Sequence, residues 1–402
     1  MGAGKSGFLH LNSYFKMLDN GVIKDLDFYV VDPKECVGKD LNALFNKYDI
    51  SCKVWPSLEV LCNKLNLTID ESFIFNLCLP SGVLCDGVYE VIQRGGKNLI
   101  IEKPFIINNR ESNLLIEKLK DINFFMVKNY LYSFVYSEIK NMLDDYSLVP
   151  EMLISNFSKN RVSESFSGRA FNTKHNPTVF EIELPHQIYL AEDLMGRGQF
   201  CETIYCGSED MKKDQSVIPD HGCGIIVDLY KNNKIAIHYS NLQHNETVRS
   251  MDILFNNDYI IHAIFYPICE ELKDINAGVV LLKNNKVISK KLCIGIDDNM
   301  YNMFCSAIDG FLNHKKEKLS NINEVIYSSD RLKNVIKMSK DSINYFDEIP
   351  CRYNLSFSQM SIINSYAQKG DVRDRFIKSV ERLKMNKLSE ILPSMFSGWN
   401  TV

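Results

Sequence analysis

The stretch "MGAGKSGFLHL" (residues 1–11) decides the fold, and three patterns compete for it. Gly4-Lys5-Ser6 resembles the end of a P-loop, Gly2, Gly4 and Gly7 fit G-x-G-x-x-G, and Met1-Gly2 with Ser6 fits an N-myristoylation signal. The P-loop reading fails on spacing: its first glycine would precede residue 1, and no strand ending in a magnesium-binding Asp completes it. The acylation pattern fixes only two positions and would place a lipid on a glycine needed for a turn. The dinucleotide reading makes a further demand, an acidic residue at the tip of the next strand about 20 residues on. "DFYVVD" (27–32) supplies that strand, and Asp32 lies 25 residues beyond Gly7. Free N–H groups at the following helix start suit a pyrophosphate. A carboxylate at the strand tip suits the two hydroxyls of an adenosine ribose and repels a 2′-phosphate, so NAD is expected ahead of NADP.

Outward from this stretch, helical and strand-like segments alternate. Leu11, Tyr14, Phe15 and Leu18 recur at helical spacing until Asn20-Gly21. Helices are expected near 39–48, 57–65, 81–95 and 110–121, with Ser81 as a helix cap. Strands are expected at 53–55, 73–80 ("FIFNLCLP"), 98–102 ("NLIIE") and 124–130 ("FFMVKNY"). Strands apolar on both faces, alternating with helices, imply a parallel sheet covered on both sides. Residues 1–130 therefore read as a doubly wound α/β dinucleotide-binding domain. Its first, central strand has no counterpart before Gly2, and we expect the natural chain to begin some residues upstream.

Beyond about 150 strand-like segments follow one another: 151–157, 201–206, 223–230, 233–240, 248–255, 258–265, 278–283 and 286–293. "KNNK" (231–234), "NND" (256–258) and "KNNK" (283–286) are hairpin signals between them. Residues 131–345 thus read as an α+β domain with a large, mostly antiparallel open sheet, closing on helices near 299–313 and 323–340. Residues 346–402 read as a helical extension.

Composition narrows the class. A chain of 402 residues, 45% hydrophobic, can bury a large core. Its net charge of −4 lacks the basic field that nucleic acid or a membrane surface demands. No apolar run is long enough to span a bilayer. The twelve cysteines include no C-x-x-C pair, which points to reduced, buried thiols in a cytoplasmic protein without a disulfide or zinc framework.

"GGKNLIIEKPF" (95–105) carries the chemistry. Glu102-Lys103-Pro104 follows a buried strand, and a lysine at the carboxyl end of such a strand points toward the ligand crevice. With "GAGKSG", "VVD", "LCLPSG…VIQRGGKNLIIEKPF" and "FEIELPHQIYLAEDLMG" (180–196) in this order, the sequence resembles the glucose–fructose oxidoreductase and inositol dehydrogenase (Gfo/Idh/MocA) family over roughly residues 2–340. The resemblance implies a nicotinamide-binding domain, a second domain with an open sheet, a homo-oligomer, and a sugar, sugar-nucleotide or cyclitol substrate.

By the same resemblance Gly2, Gly4, Lys5, Ser6, Gly7, Asp32, Leu79, Pro80, Glu102 and Lys103 hold the cofactor. Lys103 contacts the substrate hydroxyl, and His186 exchanges the substrate proton. The family's Asp four residues before that histidine is Ile182 here, so Glu183 is expected to fix the imidazole tautomer. A family histidine four residues after Pro80 is replaced by Leu84. Asn129, Tyr130, Arg169, Lys174 and His186 are expected on the substrate side, and no metal is required. The expected activity is hydride transfer between NAD and a secondary hydroxyl. Its alternatives are redox-neutral glycoside cleavage and a non-catalytic nucleotide-binding sensor.

Overall fold

The computed structural model describes residues 1–24, 26–34, 37–48, 53–107, 112–160, 179–207, 223–255, 257–266, 277–284 and 286–343. Two compact units divide the chain: Met1–Ser133 with Asp298–Asp330, and Phe134–Asp297 with the segment beginning at Arg331. The return of 298–330 to the first unit differs from the expected linear division. A helical pattern records which face is apolar but not which sheet covers it. The expected extension 346–402 lies outside the described residues.

The first unit begins with α1 (Lys5–Asp19), which Asn20 and Gly21, the latter at φ +66°, terminate as expected. Strand β1 (Val30–Val31) is shorter than "DFYVVD" suggests and pairs in parallel with β2 (Val54–Trp55). Helices α2 (Val37–Lys47) and α3 (Leu58–Leu65) flank β2, and the Ser57 hydroxyl caps α3 by accepting from Val60 N at 3.2 Å. Strands β3 (Ile74–Leu77), β4 (Asn98–Ile101) and β5 (Asn123–Met126) form a parallel sheet in that order. Helix α4 (Ser81–Gln93) follows β3, and α5 (Ser112–Leu119) follows β4.

Ser81 is not the cap of α4. Pro80, extended at ψ 147°, takes that place, and its carbonyl accepts from Val83 N. The expected strand 124–130 stops at Met126, and Asn129–Tyr132 form a 3-10 turn.

Strand β4 shows why its sequence is apolar throughout. Leu99 and Ile101 pack with Leu77, Leu84, Val88 and Val91 on one face. Ile100 packs on the other with Tyr14 and Met17 of α1 and Phe304 and Ala307 of α9 (Asn299–Leu312). Helices on both faces leave no strand face to water. The position expected for a central first strand is spanned by Met1 and Gly2. Gly2 N donates to Val31 O at 2.9 Å, and Met1 O accepts from Cys78 N at 2.8 Å. These two residues therefore join the carboxyl ends of β1 and β3.

The second unit opens with α6 (Phe134–Asp145) and β6 (Met152–Asn160). Helices α7 (Val179–Ile182) and α8 (Leu184–Met195) follow, then β7 (Gly198–Gly207), β8 (Cys223–Tyr230), β9 (Ile235–Asn241) and β10 (Gln243–Leu254). Strands β11 (Tyr259–Ile264), β12 (Gly278–Lys283) and β13 (Lys286–Leu292) complete an eight-stranded sheet ordered β13-β12-β11-β10-β6-β9-β8-β7. Every pair is antiparallel except β6 with β9. The hairpin signals work through backbone geometry: Asn232, Asp258 and Asn284 sit at φ 62°, 62° and 49°, where short polar side chains are tolerated. The chain boundary between units falls inside α10 (Ile322–Ile343).

Candidate active site

In the first unit the glycine loop is fixed by contact. Gly2 lies at φ +82°, and a Cβ there would fall 2.5 Å from Cys78 O. A Cβ on Gly7 would fall 2.3 Å from Gly2 O, so the first turn of α1 can approach the loop only without a side chain. At Gly4 a Cβ would meet nothing within 4 Å, which leaves space in front of the helix start. Gly4 caps α1 without a side-chain bond, and Lys5 and Ser6 are exposed in its first turn. The N–H groups of such a turn have no intrahelical acceptor and attract an anion.

Asp32 follows β1 directly. Its Oδ2 accepts from Ala3 N and its Oδ1 from Lys34 N, both at 2.8 Å. The carboxylate thus ties the glycine loop to the strand tip and retains lone pairs for further donors. Leu79 stands against the loop, its Cδ2 3.3 Å from the Cβ position of Gly2, and Pro80 is exposed at the start of α4. Leu84, in place of the family histidine, is fully buried in the core.

Lys103 follows β4, half-buried, with a cis bond to Pro104. Glu102 braces it: Oε2 accepts from Lys103 N, and Oε1 lies 2.9 Å from His10 Nε2. His10 is fully buried on α1, its Nδ1 3.0 Å from both Asn76 Oδ1 and Cys78 Sγ. Burial opposes a charge on the imidazole, but Cys78 and Glu102 outweigh it and raise its pKa to about 10. Burial likewise opposes ionisation of Glu102, yet the His10 hydrogen bond and charge, with Lys103, hold its pKa below the usual value. No reading of the sequence singles out His10. Its signal was its place three residues after Gly7, a polar residue on the buried face of α1.

In the second unit His186 lies on α8, half-buried, with Nδ1 3.0 Å from Tyr189 Oη and its ring edge-on to the Tyr189 ring. Gln187 pins this helix to the sheet: its Nε2 donates to Ser155 O and Tyr239 O, and its Oε1 accepts from Ser240 Oγ. Glu183 departs from the expected role. Its carboxylate is buried and paired with Lys159 Nζ of β6 at 2.7 Å and Arg249 of β10 at 3.0 Å. Two cations on the sheet draw the acid away from the imidazole, and Tyr189 holds Nδ1 instead. Ile182 packs in the apolar interior.

Asn129 and Tyr130, expected on the substrate side, are both buried, and Asn129 Nδ2 donates to Asn299 Oδ1 of α9 at 3.3 Å. Arg169 and Lys174 lie outside the described residues. A Ser155–His238–Asp228 series, with Oγ–Nδ1 at 2.9 Å and Nε2–Oδ2 at 3.0 Å, copies a hydrolase triad. All three side chains are sealed from solvent, and Arg331 also binds Asp228, so the series is a buried polar strut between strands. Among the described residues no group of three or more His, Cys, Asp and Glu could hold a metal ion, and no helix is long and apolar enough to cross a membrane.

Comparison of the sequence with known family models and with curated proteins finds no match. Solved structures do match. UDP-N-acetylglucosamine 3-dehydrogenase GnnA from Acidithiobacillus ferrooxidans superposes with a TM-score of 0.62 at 13% identity, over 85% of this chain and 96% of that one. The WlbA dehydrogenase from Bordetella pertussis, solved with NADH and UDP-GlcNAcA, gives 0.59 at 13% identity, over 85% and 95%. Myo-inositol 2-dehydrogenase from Lactobacillus plantarum gives 0.61 at 13% identity, over 85% and 96%. The chain therefore shares the fold of these solved structures, a parallel dinucleotide-type domain and a second domain built on an open, mostly antiparallel sheet.

Proposed function

We propose that the protein is an NAD-dependent dehydrogenase acting on a secondary hydroxyl of a sugar, sugar nucleotide or cyclitol. One observation carries this reading: the loop of Gly2 and Gly7, closed against backbone, faces open space at Gly4 and is tied through Ala3 to the Asp32 carboxylate. Shape and charge both fit a dinucleotide. The first turn of α1 would take the pyrophosphate, Asp32 the adenosine ribose hydroxyls, and Leu79 the face of the loop. The same carboxylate would repel a 2′-phosphate, which favours NAD over NADP. The fold's likeness to sugar and cyclitol dehydrogenases supports the substrate class.

When bound, the nicotinamide supplies or accepts the hydride. Lys103 donates to the substrate oxygen, orients it, and stabilises the negative charge that develops there. Glu102, held by His10, accepts from the Lys103 N–H and fixes the backbone from which the ammonium extends. His186, whose Nδ1 lies 3.0 Å from Tyr189 Oη, takes or returns the hydroxyl proton. Glu183 acts at a remove by holding Lys159 and Arg249 beneath the start of α8.

A fluorescence titration with NADH, and NADPH in parallel, tests the reading. Saturable binding that favours NADH is expected, followed by net NADH formation with one polyol or sugar nucleotide in a substrate screen. Absence of binding to either nucleotide overturns it. Turnover without net NADH points instead to redox-neutral chemistry.

A further inference from the structure

The fold brings three reactive groups together that the proposed reaction uses only in part. Cys78 lies just beyond β3, His10 on α1 and Glu102 just beyond β4. Sulfur, imidazole and carboxylate stand in line: Sγ is 3.0 Å from His10 Nδ1, and Nε2 is 2.9 Å from Glu102 Oε1. This is the order of nucleophile, proton carrier and orienting acid. His10 is sealed from solvent, whereas Cys78 is half-buried. Other described cysteines lie in different surroundings. Cys85 Sγ donates to Ile106 O at 2.9 Å, Cys293 Sγ faces Gly295 O, and burial raises the Cys305 thiol.

We propose that Cys78 is a covalent modification site, whose sulfur, in line with His10 and Glu102, reacts with small hydroperoxides to form a sulfenic acid. The sulfur lone pair attacks one peroxide oxygen, and the S–O bond forms as the O–O bond breaks. The departing oxygen takes the proton from His10 Nδ1 and leaves as water or an alcohol. The thiol proton returns to Nδ1. Sulfur is oxidised, the peroxide is reduced, and no other reactant is needed. Cys78 first and Glu102 after it raise the His10 pKa to about 10 against the opposing effect of burial, which keeps a proton on the imidazole at neutral pH.

Cys78 also walls the glycine loop, since its carbonyl oxygen is the atom that a Cβ on Gly2 would strike. If the dinucleotide reading holds, NADH bound at this loop is expected to slow the oxidation of Cys78. That coupling rests on the proposed function, whereas the reactivity of the thiol does not.

The test exposes the reduced full-length chain to hydrogen peroxide, traps sulfenic acid with dimedone, and reads each cysteine by peptide mass spectrometry. Cys78 is expected to label about tenfold faster than Cys62, Cys85, Cys293 or Cys305, and Glu102→Gln to remove most of that advantage. Labelling of Cys78 no faster than the others in the unaltered chain overturns the proposal, whether or not the variant folds. A folded Glu102→Gln chain that labels at the original rate overturns the part given to the carboxylate and imidazole. Slowing by NADH is the expected third result. Selective labelling that NADH leaves unchanged retains the modification site and counts against the dinucleotide reading. Tight NADH binding with an inert Cys78 does the reverse.

Discussion

At the scale of single residues, the proposed reaction assigns Lys103 the charge that develops on the substrate oxygen and His186 the hydroxyl proton. Lys103→Met should lower turnover by about 10²–10³-fold and change the NADH dissociation constant far less, as kinetics and fluorescence titration will show. Glu183 lies in a buried ion-pair cluster. Its carboxylate compensates Lys159 and Arg249 in a buried setting, so Glu183→Gln leaves two cations short of a partner. A loss of about 3 kcal/mol in a urea melt is expected, on the scale of breaking a buried ion pair. A variant as stable as the original chain would return Glu183 to consideration as a proton relay. Gly7 is decided by sterics alone, because a Cβ would meet Gly2 O at 2.3 Å. Gly7→Ala should weaken NADH binding more than tenfold, about 1.4 kcal/mol, in the same titration.

At the scale of elements, the contact between α1 and the ends of β3 and β4 depends on protonation. His10 is raised from 6.5 to about 10 in the folded chain, with burial opposing and Cys78 and Glu102 favouring the charge. A group raised on folding stabilises fully below its unfolded pKa and loses that contribution as pH rises through its folded one. The His10 contribution is therefore present below about pH 6.5 and gone above about pH 10. Melting temperatures measured from pH 6 to 10.5 should fall more steeply for the original chain than for His10→Gln. Parallel curves would show that His10 does not titrate in this window. Element identity was largely legible beforehand. Apolar strands alternating with helices marked the parallel domain, and Asn- and Asp-containing turns marked the hairpins. The misses were local and have causes. Pro80 displaced Ser81 as cap because its extended backbone already suits the position. The strand beginning near Asn123 gave way to a 3-10 turn because Asn129 and Tyr130 are needed in the packing on α9.

For the whole molecule, ligand binding and stability are linked. NADH that binds only the folded chain should raise its unfolding free energy by about 2.7 kcal/mol at a hundredfold excess over the dissociation constant. A thermal shift that grows with NADH concentration, and less with NADPH, is the expected outcome. No shift with either would contradict the titration. The sequence by itself determined the periodicities, the glycine spacing, the acid at Asp32 and the Glu102-Lys103-Pro104 strand end, because these depend on near neighbours and on residue chemistry. Only the tertiary structure decided which partners distant groups would take. His10 meets Glu102 across 92 positions, Glu183 turns to two sheet cations, and 298–330 rejoins the first unit. Such pairings follow from which strands stand side by side, and a one-dimensional pattern carries faces and periods but not neighbours.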